Sequence, residues 1–461
     1  MKDRQISDID KSSFCDRNES HFYDNKAIQI SGKKIQKIAC AFANADGGEF
    51  VVGIKDKKEE TDVLKRWQSI TDQEQYNFVL QNIYQLDPTI PHNVEFLKDD
   101  KGTFALRVII EKSQSVHKTT DNTVYIRKGA QSIPIKDPKK IRELSYSKGE
   151  SSYEDSIIKD AEPEDIFESL QIRSFLNDYS PKSDPIDFTV SQNLVDRKTY
   201  EPRTAGILLF SNNPTPLIPT RCGIKITRYD TSEEIPEREH LKTQLTIEGA
   251  LYEQIQKASS EITKIMESVQ VMTANGLNKA NYPPETIWEI LVNAVIHRDY
   301  SISDDIHVLI FNNRIEIKSP GKLPGYVTVE NILDSRFSRN SKIVRILNKY
   351  KNPPNKDMGE GLNTAFQKME EFRLKKPIIT EEGNYINVTI AHTPLASPEE
   401  TIIEYLKKNP KIRNREARAI TGVKSENVMK RHFYKLRKAN EIEPVMSANG
   451  NKIVAWKLKE K

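Results

Sequence analysis

Three side chains able to do chemistry stand four residues apart in EILVNAVIHRDY, residues 289–300: Glu289, Asn293 and His297. On a helix that spacing stacks a carboxylate, an amide and an imidazole on one face, with Ile287, Ile290, Leu291, Ala294 and Val295 as the apolar stripe beside it. Such a row is either a polar face between two domains or the wall of a site, because helices seldom bury these groups without a reason. A hairpin pattern follows, over 306–311 and 314–318, turned at Asn312-Asn313. Next come Ser319-Pro320-Gly321 and Leu323-Pro324-Gly325, and later Gly359-Glu360-Gly361 opens a helical pattern at Leu362, Phe366 and Met369. A glycine turn that feeds a helix N-terminus offers backbone N–H groups to phosphate oxygens.

The runs EILVNAVIHRDY, RIEIKSPGKLP and MGEGL, in that order, resemble the ATP-binding module of the GHKL superfamily, in the divergent form found in RecG-like bacterial proteins. The resemblance implies ATP and Mg2+ as cofactors, with Glu289 as general base and Asn293 as the magnesium ligand. It implies that Gly321, Gly359 and Gly361 shape the pocket, and we take His297 and Arg298 beside them as cofactor-binding residues. The Asp with which the family reads the adenine amino group is replaced near Ser319, which cannot accept that charge-assisted hydrogen bond. Nucleotide binding is therefore expected ahead of turnover.

At the other end of the chain, residues 33–44 put Ile35, Ile38, Ala39 and Phe42 at helical spacing before Gly47-Gly48. Strands are predicted over 50–54, 104–110 and 124–127. The block AFANADGGEFVVGIKD, with YIRKGAQS at 125–132, resembles the AlbA domain of Schlafen-type proteins. This implies nucleic-acid binding and, in some members, metal-dependent RNA cleavage. The family's acidic triad would fall on Glu19, Asp24 and Asp56, with Lys26 close by; Asp24 and Lys26 would share one face of a strand. Such carboxylates could hold Mg2+ or Mn2+ beside an ammonium that faces the phosphate. Asp24 stands where Glu is usual and HFYDNK lacks the usual apolar surroundings, so binding is the leading reading and nuclease the alternative.

Residues 398–461 read as three helices, over 399–408, 414–420 and 425–439, and a hairpin over 442–445 and 453–458, with turns at Thr421-Gly422 and Asn449-Gly450. This is the order of a winged helix-turn-helix, and RNREARAITG at 413–422 resembles the second helix of many bacterial regulators. Arg413 and Arg415 lie on that segment; Ser425, Asn427, Lys430 and Arg431 would lead the third helix into a major groove, with Lys435 on phosphates. Residues 397–461 carry sixteen Lys and Arg against eight Asp and Glu, which favours DNA over the dimerisation or protein docking such modules also perform.

In a chain of 461 residues with a net charge of +4, these parts make a multidomain α+β protein. It divides into a Schlafen/AlbA-like α+β domain over 1–148, a linker and bridging α/β segment over 149–240, a GHKL-like α/β sandwich over 241–395 and a winged helix over 396–461. In the bridge, 150–168 reads as an acidic linker, 166–176 as a helix, 205–210 and 222–228 as strands, and 241–271 as one long helix. Cys15, Cys40 and Cys222 are scattered, without a CxxC pair, and no apolar run of membrane length occurs. A cytoplasmic protein is expected, with DNA, RNA or tRNA as partner, no membrane, and a homo-oligomeric state implied by the family. The predicted work is DNA binding controlled by ATP, in transcription regulation or phage defence; the alternative is a Schlafen-type endonuclease acting on tRNA or single strands.

Overall fold

The computed structural model describes residues 2–273, 276–279, 282–355, 361–372, 374–391, 398–421, 423, 425–447 and 453–459. Lys2–Gln5 (β1), Tyr23–Lys26 (β2), Gly48–Val52 (β3), His92–Lys98 (β4) and Phe104–Ile110 (β5) form one sheet in the order β1-β4-β5-β3-β2. β2 and β3 run parallel, a pairing that needs a crossover connection, and the helix Gly32–Ala43 supplies it. Its Ile35, Ile38, Ala39 and Phe42 pack with Phe50, Val52, Leu106 and Val108 of the sheet. Gly47, at φ +81, then returns the chain into β3, in the left-handed conformation that glycine adopts at no steric cost. Val124–Lys128 (β6) and Gln131–Ile135 (β7) form a separate ribbon, packed on the same helix rather than added to the sheet.

The second sheet takes Ile224–Tyr229 (β8) and Leu241–Ile247 (β9); after a small ribbon of Gln270–Thr273 (β10) and Gly276–Lys279 (β11) it adds Ile306–Ile310 (β12), Arg314–Pro320 (β13), Ile378–Glu382 (β14) and Tyr385–Ala391 (β15). Its order is β14-β15-β13-β12-β8-β9. The predicted hairpin is the β12–β13 pair, antiparallel with Ile310 opposite Ile315. Alternation fixes its face: Ile306, Val308, Ile310, Ile315 and Ile317 are buried while His307, Glu316 and Lys318 turn outward. The Leu251–Glu267 and Pro284–Ile296 helices lie on the apolar face, and Gly361–Glu371 packs on the latter.

Four expectations for the middle of the chain change. The buried run at 205–210 is a helix, Thr204–Phe210, buried on every side; a short all-apolar run cannot distinguish strand from helix. Gly206 lets this helix lie against the carbonyl of Leu194, where a Cβ would overlap. The pattern over 241–271 is not one helix: 241–247 is β9, and Gly249, at φ +116, turns the chain before Leu251–Glu267. The 166–176 helix is two, broken where Ser169 caps the second through Ile172 N. The 150–168 stretch is no free linker, since Glu154 is buried and accepts hydrogen bonds from the backbone of Lys342 and Ile343, both at 3.0 Å. One hydrophobic core runs from Ile158 to Ile390, so the expected boundary at 240 falls between two paired strands.

The last part closes its own core. Pro398–Lys408, Asn414–Thr421 and Glu426–Lys438 are helices, followed by Ile442–Met446 (β16) paired with Ile453–Leu458 (β17). Ile402, Leu406, Ile412, Met429, Phe433, Leu436 and Trp456 fill the centre, with the rings of Phe433 and Trp456 stacked at 5.2 Å. The turns at Gly422 and Asn449-Gly450 lie outside the described residues. Among the described residues no helix is long and apolar enough to cross a membrane, and Cys15, Cys40 and Cys222 are buried thiols.

Candidate nucleotide-binding site

The Pro284–Ile296 helix starts on a proline, which needs no N–H partner in the first turn. Ile287, Ile290, Leu291 and Val295 enter the core, leaving Glu289 and Asn293 on a second, half-buried face. The helix stops one residue before His297, whose N–H bonds Asn293 O at 3.0 Å. All three polar residues nevertheless line one cavity of about 530 Å³, inside the range of small-ligand sites. Its floor is Ile317, Ile379, Ile386 and Val388 of the sheet, and its far wall comes from the segment after β13, including Gly321, Lys322, Leu323 and Phe337.

Both described glycines of the expected pocket sit where a side chain would crowd a neighbour. At Gly321, φ +124, a Cβ would run into Asp299; at Gly361 it would overlap the Glu289 carboxylate. Gly359 lies outside the described residues. Ser319 is committed, its hydroxyl donating to Ala294 O at 2.7 Å. In the same wall, Ser338 Oγ and Asn355 Oδ1 are buried without a protein hydrogen-bond partner, so a ligand or water could pair them. Burial, with the Arg339 charge adding to it, pushes His297 down to about 4, so the imidazole facing the cavity is neutral. Glu289 and Asn293 supply the oxygen donors a hard cation takes and the floor is apolar enough for a base. The residues therefore fit a nucleotide with magnesium, except that Ser319 presents no carboxylate to the adenine amino group.

Arg298 does not belong to this cavity. One residue beyond His297 it points the other way, fully buried, and donates to the carbonyls of Arg221, Ile302 and Asp304. It secures the turn after the helix. Sequence reading missed Lys322, Phe337, Ser338 and Asn355, which carry no periodic pattern. The one signal was the length of the irregular stretch between the two glycine turns, since long loops inside compact domains are usually functional.

The N-terminal acids assemble only in part. Lys26 on β2 donates to Glu19 Oε1 at 2.7 Å and to Asp24 Oδ1, while buried Arg127 donates to Asp24 Oδ2 at 2.8 Å. Burial, then the neighbouring Glu19, pushes Asp24 up to about 6. Asp56 stands apart: it is exposed, and its Oδ1 accepts the Lys58 N–H at 2.9 Å as a turn cap. Among the described residues no group of three His, Cys, Asp or Glu side chains converges for a metal, so the expected triad is not assembled. In the C-terminal part Ser425 caps its helix through Val428 N. Arg415, Asn427, Lys430, Arg431 and Lys435 lie on the outer surface of these helices, with Arg413 just ahead of them, although Lys430 pairs with Glu426 at 2.8 Å and Lys435 with Glu399 at 2.8 Å.

Two stretches of the chain match known families. Residues 19–136 match the Schlafen AlbA_2 family, and residues 303–390 match the HATPase_c_4 family, named for the C-terminal part of the ATP-dependent DNA helicase RecG. The second match takes in Gly321, Gly359 and Gly361 and begins after the Glu289–Asn293 helix. The chain thus joins a Schlafen AlbA_2 domain to a RecG-like ATPase-type domain. A solved structure, the DIP2311 protein from Corynebacterium diphtheriae, aligns with 95% of this chain and 80% of its own at 17% identity and a TM-score of 0.40. No curated protein matches the chain.

Proposed function

We propose that this protein binds nucleic acid under the control of ATP, as a transcriptional regulator or a phage-defence factor. The observation that carries the reading is the single cavity that gathers Glu289, Asn293, Gly321 and Gly361 from three separate stretches of the chain. Magnesium held at Asn293 would neutralise the phosphates, and Glu289 would serve as base for any hydrolysis. Nucleic acid is bound by the Schlafen AlbA_2 domain and by the C-terminal helices acting as a winged helix. There the Glu426–Lys438 helix offers Asn427, Lys430 and Arg431 to the duplex, with Arg413 and Arg415 beside it.

Titration calorimetry with ATP and Mg2+ tests the cavity, and a full-length chain that gives no heat sinks the proposal. Anisotropy of labelled duplex DNA, with and without MgATP, tests the control; equal affinity in both would reject it. Replacing Lys430 and Arg431 by Ala should weaken DNA binding and flatten its salt dependence by about two in log-log slope.

A further inference from the structure

The segment between β13 and the Ser341–Leu347 helix has two faces. Inward, Lys322, Leu323, Pro324, Val327 and Phe337 line the cavity. Outward, it lies on the N-terminal part of the chain, and polar bonds hold it there. Lys112, just past β5, donates from Nζ to Leu323 O at 2.9 Å and reaches Val327 O at 3.5 Å. Gly325 N donates to Lys148 O at 2.9 Å. Buried Arg339 donates to Tyr146 O at 2.6 Å, to Ser147 O at 3.3 Å and to Lys322 O at 2.6 Å, while pairing with Asp299 at 3.0 Å.

These bonds are specific in kind. Tyr146, Ser147 and Lys148 end the Pro138–Lys148 helix, and final-turn carbonyls have no partner within their own helix and form its negative pole. The cavity segment donates to all three, one cation among its donors, and Tyr146 O also accepts the Gly149 N–H at 3.1 Å. Gly149, at φ +75, follows so closely that a Cβ there would overlap the Phe337 ring and crowd Pro324, both cavity-lining. Lys148 in turn donates from Nζ to Ala43 O at 2.7 Å, at the end of the helix that covers the first sheet. Lys322 lies 3.8 Å from Asp46, which also bonds His21. A segment with little regular structure is thus held in shape by groups of the neighbouring domain.

We infer that the cavity depends on two domains: the Schlafen AlbA_2 domain braces the segment that forms its outer wall, and Lys112 is a positioning residue for the bound nucleotide, acting through the carbonyls of Leu323 and Val327. The inference rests on the nucleotide reading above and adds where control is exerted. Nucleotide in the cavity and nucleic acid on the N-terminal domain both bear on one clasped segment, and their effects on each other's affinity must be equal. ATP therefore acts first on the N-terminal domain.

The test uses the full chain and three proteins: wild type, Lys112→Met, which keeps the aliphatic stem but loses the donor, and Lys112→Arg, which restores one. MgATP affinity is measured by calorimetry, and hydrogen exchange reads residues 321–340. Lys112→Met should weaken MgATP roughly tenfold, speed exchange in that segment, leave exchange in β12 unchanged and abolish the effect of MgATP on nucleic-acid affinity. Lys112→Arg should recover most of each. A Lys112→Met chain that binds MgATP as wild type does, with unchanged exchange, overturns the inference while leaving the nucleotide reading intact. A wild-type chain that takes up no MgATP overturns that reading, and this inference with it.

Discussion

Two places in this molecule set an acid on one element beside polar groups from others, and they differ in what is left over. At Asp24 nothing is: one carboxylate oxygen takes Lys26, the other Arg127, and the side chain is buried. Around Glu289 the elements stand back, leaving about 530 Å³ over an apolar floor, with Asn355 Oδ1 and Ser338 Oγ lacking partners in the wall. A set of charges that satisfies itself is an internal tie. A concave surface of this volume over an apolar floor has room for a ligand. The expected catalytic centre of the N-terminal domain thus resembles structural support, and the expected nucleotide pocket resembles a site.

Removing Arg127 is the strongest way to break that contrast. Arg127→Met strips a buried carboxylate of its guanidinium and should cost about 4 kcal/mol of stability, read by urea unfolding, with MgATP affinity unchanged in the folded fraction. A variant as stable as wild type would mean that the N-terminal cluster is not a tie. Asn293→Ala should do the reverse: MgATP affinity falls on the order of a hundredfold, about 3 kcal/mol, with stability little changed because Asn293 is only half-buried. A large loss of stability there would make the helix row a structural face after all.

What the sequence disclosed about this contrast was local. The β12–β13 hairpin follows from strict alternation around Asn312-Asn313, and the Gly32–Ala43 helix from its four apolar positions ahead of Gly47. Glu289, Asn293 and Gly361 carried a recognisable order, and they meet. Asp56 was placed with Glu19 and Asp24 on order alone, and among the described residues the three do not converge. Thr204–Phe210 was misread because so short an apolar run has no period to count. The clasp was invisible: Lys112, Lys148 and Arg339 are ordinary basic residues in sequence, and their bonds are to backbone carbonyls far along the chain, which no side-chain pattern encodes.

A smaller effect should separate the two regions by pH. Burial holds His297 neutral in the folded chain down to about 4, against an ordinary value of 6.5. Between those values the unfolded chain binds the extra proton, so this contribution is complete above 6.5 and is lost as pH falls towards 4. Urea midpoints of wild type should therefore drop over that window by more than those of His297→Gln, by on the order of 1 kcal/mol near pH 5. Equal slopes would place the imidazole in solvent, outside the cavity wall.

The smallest expected effect bears on the N-terminal cluster most directly. Asp56 accepts one backbone N–H across a turn, so Asp56→Ala should change stability by no more than about 0.5 kcal/mol. It should also leave nucleic-acid affinity unchanged, with or without Mn2+, because nothing ties this carboxylate to Glu19 or Asp24. If instead the wild-type chain cuts tRNA or single-stranded DNA in Mn2+ and Asp56→Ala abolishes the cutting, then Asp56 must swing towards the pair when metal and substrate arrive. In that event the Asp24 cluster would be a resting state in which Lys26 and Arg127 stand in for the metal, and the distinction between tie and site would hold only for the unliganded chain.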